Sequence, residues 1–228
     1  MSRILIFGAT GTVGHGALLE CLDHPQITQV VCVLRRPTGH SHPKLSEIIH
    51  HDFNDFSSLD IEFQHFDGCL WAIGIPQTGL TERQYTKVTF NFTVAAAQRL
   101  TEQSPECSFV FISGAGADET GTSKSMWARV KGRTENAILA LAFKRIFIFR
   151  PGTIVAKRGI KHNVSAYAFS SIFAPLMRPF GLATSTVEIG RAFIAAVLMS
   201  DDVRLDHVRY NSADINRLAK LAGRDSIL

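Results

Sequence analysis

Between a short apolar run, Arg3 to Phe7, and a stretch of helical spacing that opens at Thr12, the chain reads Gly8-Ala9-Thr10-Gly11-Thr12-Val13-Gly14. Glycines at the junction of a buried strand and a helix leave few folds open. They let the backbone turn tightly and approach a bound group closely, and the next helix offers unpaired N–H groups and a partial positive charge. Such a turn suits a pyrophosphate. The spacing is GxxGxxG rather than GxGxxG, and no Gly-Lys-Ser/Thr comes after it, so this is not a P-loop. An ordinary glycine-rich turn has the same residues; the flanking strand and helix argue against it.

The rest of the chain repeats the alternation. Apolar runs at Gln29 to Leu34, Leu45 to His50, Gly68 to Ile73, Ser108 to Ser113 and Arg145 to Phe149 read as strands. Helices are expected over Thr12 to Leu22, Thr81 to Gln103, Ser123 to Ala142 with Ser123 as N-cap, and Val187 to Met199. A Pro-interrupted segment runs to about Gly181, a short strand is expected at His207 to Tyr210, and a last helix from Ala213. Alternation of this kind implies one doubly wound α/β domain, a mainly parallel sheet with helices on both faces. The whole of 1–228 forms that domain, with a small substrate-side segment from about 153. Ligands of such sheets bind at the carboxyl ends of the strands, where strand order reverses.

The residues just after the second strand bear on the ligand. Chains that bind the unphosphorylated dinucleotide usually place Asp or Glu there for the ribose hydroxyls. Here stand Arg35 and Arg36, whose guanidinium groups match a 2′-phosphate; a pair of solvated surface arginines is the plain alternative. NADP(H) is therefore expected over NAD(H). Net charge is +4, from 24 Lys and Arg against 20 Asp and Glu. That suits an anionic small molecule and is too weak to argue for nucleic acid. Hydrophobic residues make up 46% and charged residues 19%, which excludes a disordered chain.

Six pieces occur in order: GATGTVG, Asp52-Phe53 after the third strand, WAIG after the fourth, SGAGAD after the fifth, VKG in the next helix and RPG after the sixth. Together they resemble the atypical short-chain dehydrogenase/reductase superfamily, with its NAD(P)-binding Rossmann fold, and most closely its small TIP30-like oxidoreductases. The pattern covers about the first 155 residues. The resemblance implies that Gly8, Ala9, Thr10, Gly11, Thr12 and Val13 wrap the pyrophosphate, that Asp52 and Phe53 flank an adenine, that Ala72, Ile73 and Gly74 lie along a ribose, and that Pro151, Gly152 and Ile154 border the nicotinamide. It also implies catalytic roles for Ser113, which would polarise substrate, and Lys131, which would hold the nicotinamide ribose. An ordinary strand end and a surface lysine are the bland readings of those two.

One departure divides the functional readings. The superfamily's YxxxK motif places a tyrosine four residues before its lysine, and here that residue is Trp127. The two positions share a helix face. An indole N–H donates a hydrogen bond but does not supply a proton near neutral pH, so the usual acid is gone while the cofactor hook stays. Two readings stand: an NADP(H)-dependent oxidoreductase on an unidentified small molecule, or a catalytically inactive NADP(H)-binding sensor that reports to a protein partner. Tyr167 is a candidate replacement hydroxyl from the substrate side, with a packing role the plainer reading.

Other signals are bland. His50-His51-Asp52 and the His40/His42 loop lack the geometry of a ligand set, so no metal is expected. Ala166 to Ala183 is apolar but carries Pro175, Arg178 and Pro179, and no membrane span is expected. Cys21, Cys32, Cys69 and Cys107 form no CxxC pair and read as buried reduced thiols. With a strand starting within three residues of Met1 leaving no room for a signal peptide, the expected location is cytoplasmic. A homo-oligomer is compatible with the sequence.

Overall fold

A computed structural model describes residues 2–59, 63–158, 176–200 and 208–222. Its main strands are β1 (Ser2–Phe7), β2 (Ile27–Leu34), β3 (Leu45–Ile49), β4 (Gly68–Trp71), β5 (Ser108–Ile112) and β6 (Arg145–Arg150). Two short strands, β7 (Thr153–Val155) and β8 (Ala183–Ser185), come next, and β9 (Arg209–Asn211) is the last. Seven of them form a sheet of order β3-β2-β1-β4-β5-β6-β9, in which every pairing is parallel. Strands β7 and β8 pair parallel in a small second sheet. That sheet had no counterpart in the expectations, because three-residue strands leave no periodicity to read.

The central strands are apolar throughout because both faces are covered. Along β1, Ile4 and Ile6 point to one layer and Leu5 and Phe7 to the other, and all four are fully buried. One helix, α2, is α-helical over Glu82–Thr86, widens into a π turn over Lys87–Asn91 and returns to α over Phe92–Gln103. The first layer holds α1 (Thr12–Asp23), α4 (Thr186–Leu198) and α5 (Ser212–Ala222), packed through Leu18, Phe193 and Ile215. The second holds α2 and α3 (Met126–Leu139), packed through Leu100 and Ile138 onto Trp71, Phe109 and Phe111. Strand order reverses between β1 and β4, so the carboxyl ends of β2, β1 and β4 open a crevice beside the glycine turn.

Some boundaries move for identifiable reasons. Helix α3 starts at Met126 with Ser125 as N-cap, not at Ser123. Asp118 accounts for this: its Oδ2 accepts the Ser123 N–H at 2.6 Å, drawing Ser123 into the preceding loop. Strand β4 ends at Trp71, so Ala72 and Ile73 leave the ladder and reach the crevice as loop. Tyr167 and most of the apolar stretch 166–183 lie outside the described residues.

Candidate functional site

The glycine turn has the geometry that close approach demands. Gly8 sits at φ +83, and a Cβ there would meet the Ala72 backbone at 2.7 Å. A Cβ on Gly14 would stand 2.2 Å from the Gly8 carbonyl oxygen, so α1 can start this near β1 only with glycine at that position. The Gly11 N–H donates to the Gly8 carbonyl at 2.9 Å and closes the turn. Gly11 is the N-cap of α1 and brings no side chain to the first N–H groups, which leaves the positive helix end available to an anion.

In front of this turn lies a cavity of about 280 Å³. Gly8, Thr10 and Gly11 form one wall, Arg35 and Arg36 the second, and Ala72, Ile73 and Gly74 the third, with Phe53 at the side. Nine of the residues picked out in the sequence thus meet around one space. Ala9 is fully buried beneath the turn, and Thr12 and Val13 form the first turn of α1. Neither guanidinium, of Arg35 or Arg36, has an ion pair or hydrogen bond among the described residues, and both side chains are exposed. Two unpaired cations next to a helix N-terminus make this end of the crevice an anion site. Sequence reasoning missed Val33, Leu34, Ile75, Val88 and Phe92, which complete the apolar lining. The first three are chain neighbours of residues it singled out; Val88 and Phe92 come from α2, whose facing residues only the π turn determines.

Asp52 is not in this wall. Its Oδ1 accepts from the Asn54 backbone and side chain, at 3.0 and 2.9 Å, and these bonds hold its carboxyl below the usual range. His50 is used in the same loop, its Nε2 within 2.7 and 2.8 Å of the Asp52 and Asp55 carbonyls. Among the described residues no group of three or more His, Cys, Asp and Glu could hold a metal. All four cysteines are buried, and burial pushes their thiols up, away from thiolate chemistry.

The remaining candidates gather at the carboxyl ends of β5 and β6, outside the cavity. The Ala115 N–H donates to the Pro151 carbonyl at 2.9 Å, and the Gly152 N–H to Ser212 Oγ at 3.0 Å; Ile154 lies half-buried in β7. Ser113 is buried, and its hydroxyl donates to Glu135 Oε1 at 2.5 Å. Its single proton is therefore committed, and Ser113 faces any ligand as an acceptor. Glu135 is itself fully buried and clamped by Arg150, whose Nε lies 2.9 and 3.1 Å from the two carboxylate oxygens, and by Arg209 at 3.1 Å. Lys131 donates from Nζ to the Ile112 carbonyl at 2.9 Å and sits over the Phe111 ring. Burial pushes its ammonium down to about 8, against the opposing pull of Glu135. The Trp127 ring lies against the loop after β5, within van der Waals reach of positions Gly114 and Gly116.

No protein-family profile matches the chain. Among curated proteins it is similar to the mitochondrial protein FMP52 of Saccharomyces cerevisiae, 30% identical over 157 residues, or 68% of this chain and 66% of that one. It is also 30% identical over 165 residues to the mitochondrial fmp52 protein of Aspergillus clavatus, covering 69% of each chain. Among solved structures it resembles MoeE5 in complex with UDP-glucose and NAD, with TM-score 0.68 and 16% identity over 97% of this chain and 81% of that one. The fold is thus the doubly wound Rossmann type, as the repeated strand–helix alternation implied. The cytoplasmic expectation is overturned, since the relatives are mitochondrial by name. Reduced thiols and the argument against a secretory signal were too coarse a guide to location, because both suit any reducing compartment. No helix among the described residues is long and apolar enough to cross a membrane.

Proposed function

The chain belongs to the FMP52 family, and from that premise we propose that it is a mitochondrial NADP(H)-dependent oxidoreductase acting on a small molecule. The observation that carries this reading is the meeting, around one crevice, of the glycine turn, the open N-terminus of α1 and two unpaired arginines. In this reading the turn from Gly8 to Val13 would hold the pyrophosphate, Phe53 and Ala72 to Gly74 would flank the adenosine end, and Arg35 and Arg36 would meet the 2′-phosphate. Pro151, Gly152 and Ile154, next to Ser113 and Lys131, would border the nicotinamide end.

The cofactor supplies the hydride; the chain's own residues bind and orient. Lys131 and Ser113 are held in fixed positions: the lysine would hold a hydroxyl of the cofactor ribose, and the serine would accept from a donor on the ligand. Trp127 supplies no proton, so in this reading proton exchange falls to water or to the substrate. A second reading rests on these same particulars. With no acid at Trp127 and the Ser113 proton given to Glu135, the domain also suits an NADP(H)-binding sensor that reports to a protein partner.

Fluorescence titration with NADPH and NADH tests the cofactor. Exchanging both Arg35 and Arg36 for alanine is expected to weaken NADPH by ~1–3 kcal/mol per lost charged hydrogen bond while sparing NADH. Equal loss for both cofactors refutes the assignment. NADPH oxidation against aldehydes, ketones and quinones then separates the readings. Turnover that disappears in Lys131→Ala supports the enzyme; tight binding with no turnover, and a partner whose binding tracks the NADPH/NADP ratio, supports the sensor.

A further inference from the structure

The loop that presents the two unpaired arginines has a tether outside the cavity. His15 lies one turn into α1 and is buried, with 4% of its surface exposed. Its Nε2 is 2.7 Å from Nε2 of His40, and the ring centroids are 4.7 Å apart. His40 belongs to the connection from β2 to β3, four residues past Arg36. A bond between two imidazole nitrogens needs one donor and one acceptor, so it is a specific pairing and not a mere stack.

The other bonds of this connection run to β3, within the loop itself, or to the far end of α1. The Thr38 backbone N–H donates to Glu47 Oε1 at 3.0 Å, its hydroxyl donates to the same oxygen, and the His40 N–H donates to Thr38 Oγ1 at 3.2 Å. Lys44 Nζ donates to the His24 carbonyl at 2.8 Å. Gly39, at φ +80, supplies the reversal that returns the chain toward the helix. The loop is thus pinned to β3 through Thr38 and Glu47, and to α1 through the two histidines.

We propose that His15 and His40 form a latch that seats the Arg35–Arg36 loop against α1, making the pair a determinant of NADPH over NADH. The proposal rests on the cofactor reading above. Arginine grips a phosphate well only when its backbone is already placed; a loose loop adds an ordering cost to every bond it makes. NADH carries no 2′-phosphate, draws nothing from these guanidinium groups and is indifferent to the latch.

The test titrates NADPH and NADH onto the purified full chain. The variants are His40→Ala, His40→Gln, His15→Phe, the His15→Phe/His40→Ala double, and Arg35→Ala/Arg36→Ala. His40→Ala is expected to weaken NADPH about tenfold and leave NADH within about twofold. His40→Gln, whose amide can still bond to His15, recovers most of the NADPH affinity, and the double variant is no weaker than either single one. Unchanged NADPH affinity in His40→Ala, equal loss for both cofactors, or additive losses in the double variant overturn the latch. His40 is exposed, so its two variants carry the test even where His15→Phe fails to fold. If the arginine variant loses NADPH selectively and His40→Ala does not, the latch alone falls. If the parent chain prefers NADH or binds neither, the cofactor reading falls and takes the latch with it.

Discussion

Lys131 shows what a buried cation costs the fold. Its ammonium titrates at about 8 in the folded chain against 10.5 for an ordinary lysine, because burial disfavours the charge. Below that value both folded and unfolded chains hold the proton, and the burial penalty is present in full. Between about 8 and 10.5 the folded chain has released a proton that the unfolded chain keeps, so stability climbs with pH across this window. Lys131→Met removes the climb and, near neutral pH, is expected to be more stable than the parent by on the order of 1–3 kcal/mol, less the lost bond to Ile112. Urea midpoints of both proteins at about pH 7 and about pH 9.5 check this; a Met variant weaker than the parent at the lower pH contradicts it. Lys131 itself was legible, because a helical lysine in a recognisable motif carries its spacing with it. Glu135 was not. It reads as one more acid on an amphipathic helix, and only the packing of Ser113, twenty-two positions away, and of Arg150 and Arg209 makes it a buried clamp.

At the scale of elements, the strands and their order of appearance were readable from apolar runs, since a parallel sheet covered on both faces repeats that pattern strand after strand. Helix α2 marks the limit. Its start was legible, and the structure gives Thr81 a capping box: Thr81 Oγ1 accepts from the Gln84 N–H at 3.3 Å, and Gln84 Oε1 accepts from the Thr81 N–H at 2.9 Å. Its interior was not, because the π turn over Lys87–Asn91 shifts the helical phase without any glycine or proline to announce it. That shift brings Val88 and Phe92 to the cavity. Thr81→Ala is expected to cost about 1 kcal/mol by loss of the cap. Amide hydrogen exchange at Tyr85 and Val88 should rise while β1 is unchanged; a uniform rise across the sheet would show that the cap stabilises more than this helix.

Over the whole molecule, the second half of the sheet converges on one charged point. Glu135, on α3, holds the Ser113 hydroxyl at the end of β5, Arg150 at the end of β6 and Arg209 in the edge strand β9, while the exposed Glu119 binds the same two arginines from outside. A fully buried carboxylate has water nowhere to replace a lost partner, whereas Glu119 is 45% exposed and is screened. Glu135→Gln is therefore expected to cost about 3 kcal/mol, at the low end for a broken buried pair because both arginines keep Glu119. Glu119→Gln should cost less than about 1 kcal/mol. Because β9 joins the sheet through β6 alone among the described strands, its bonds should open first: exchange at Ile148, whose N–H donates to Val208 at 2.8 Å, should quicken in Glu135→Gln before exchange in β1 and β2 does. NADPH binding should weaken only through Ser113, since the cavity is lined from β1, β2, β4 and α2 and Glu135 is not part of its wall. Equal destabilisation by the two Gln variants, or NADPH affinity lost in step with stability, would mean that the two ends of the sheet are not separable in this way.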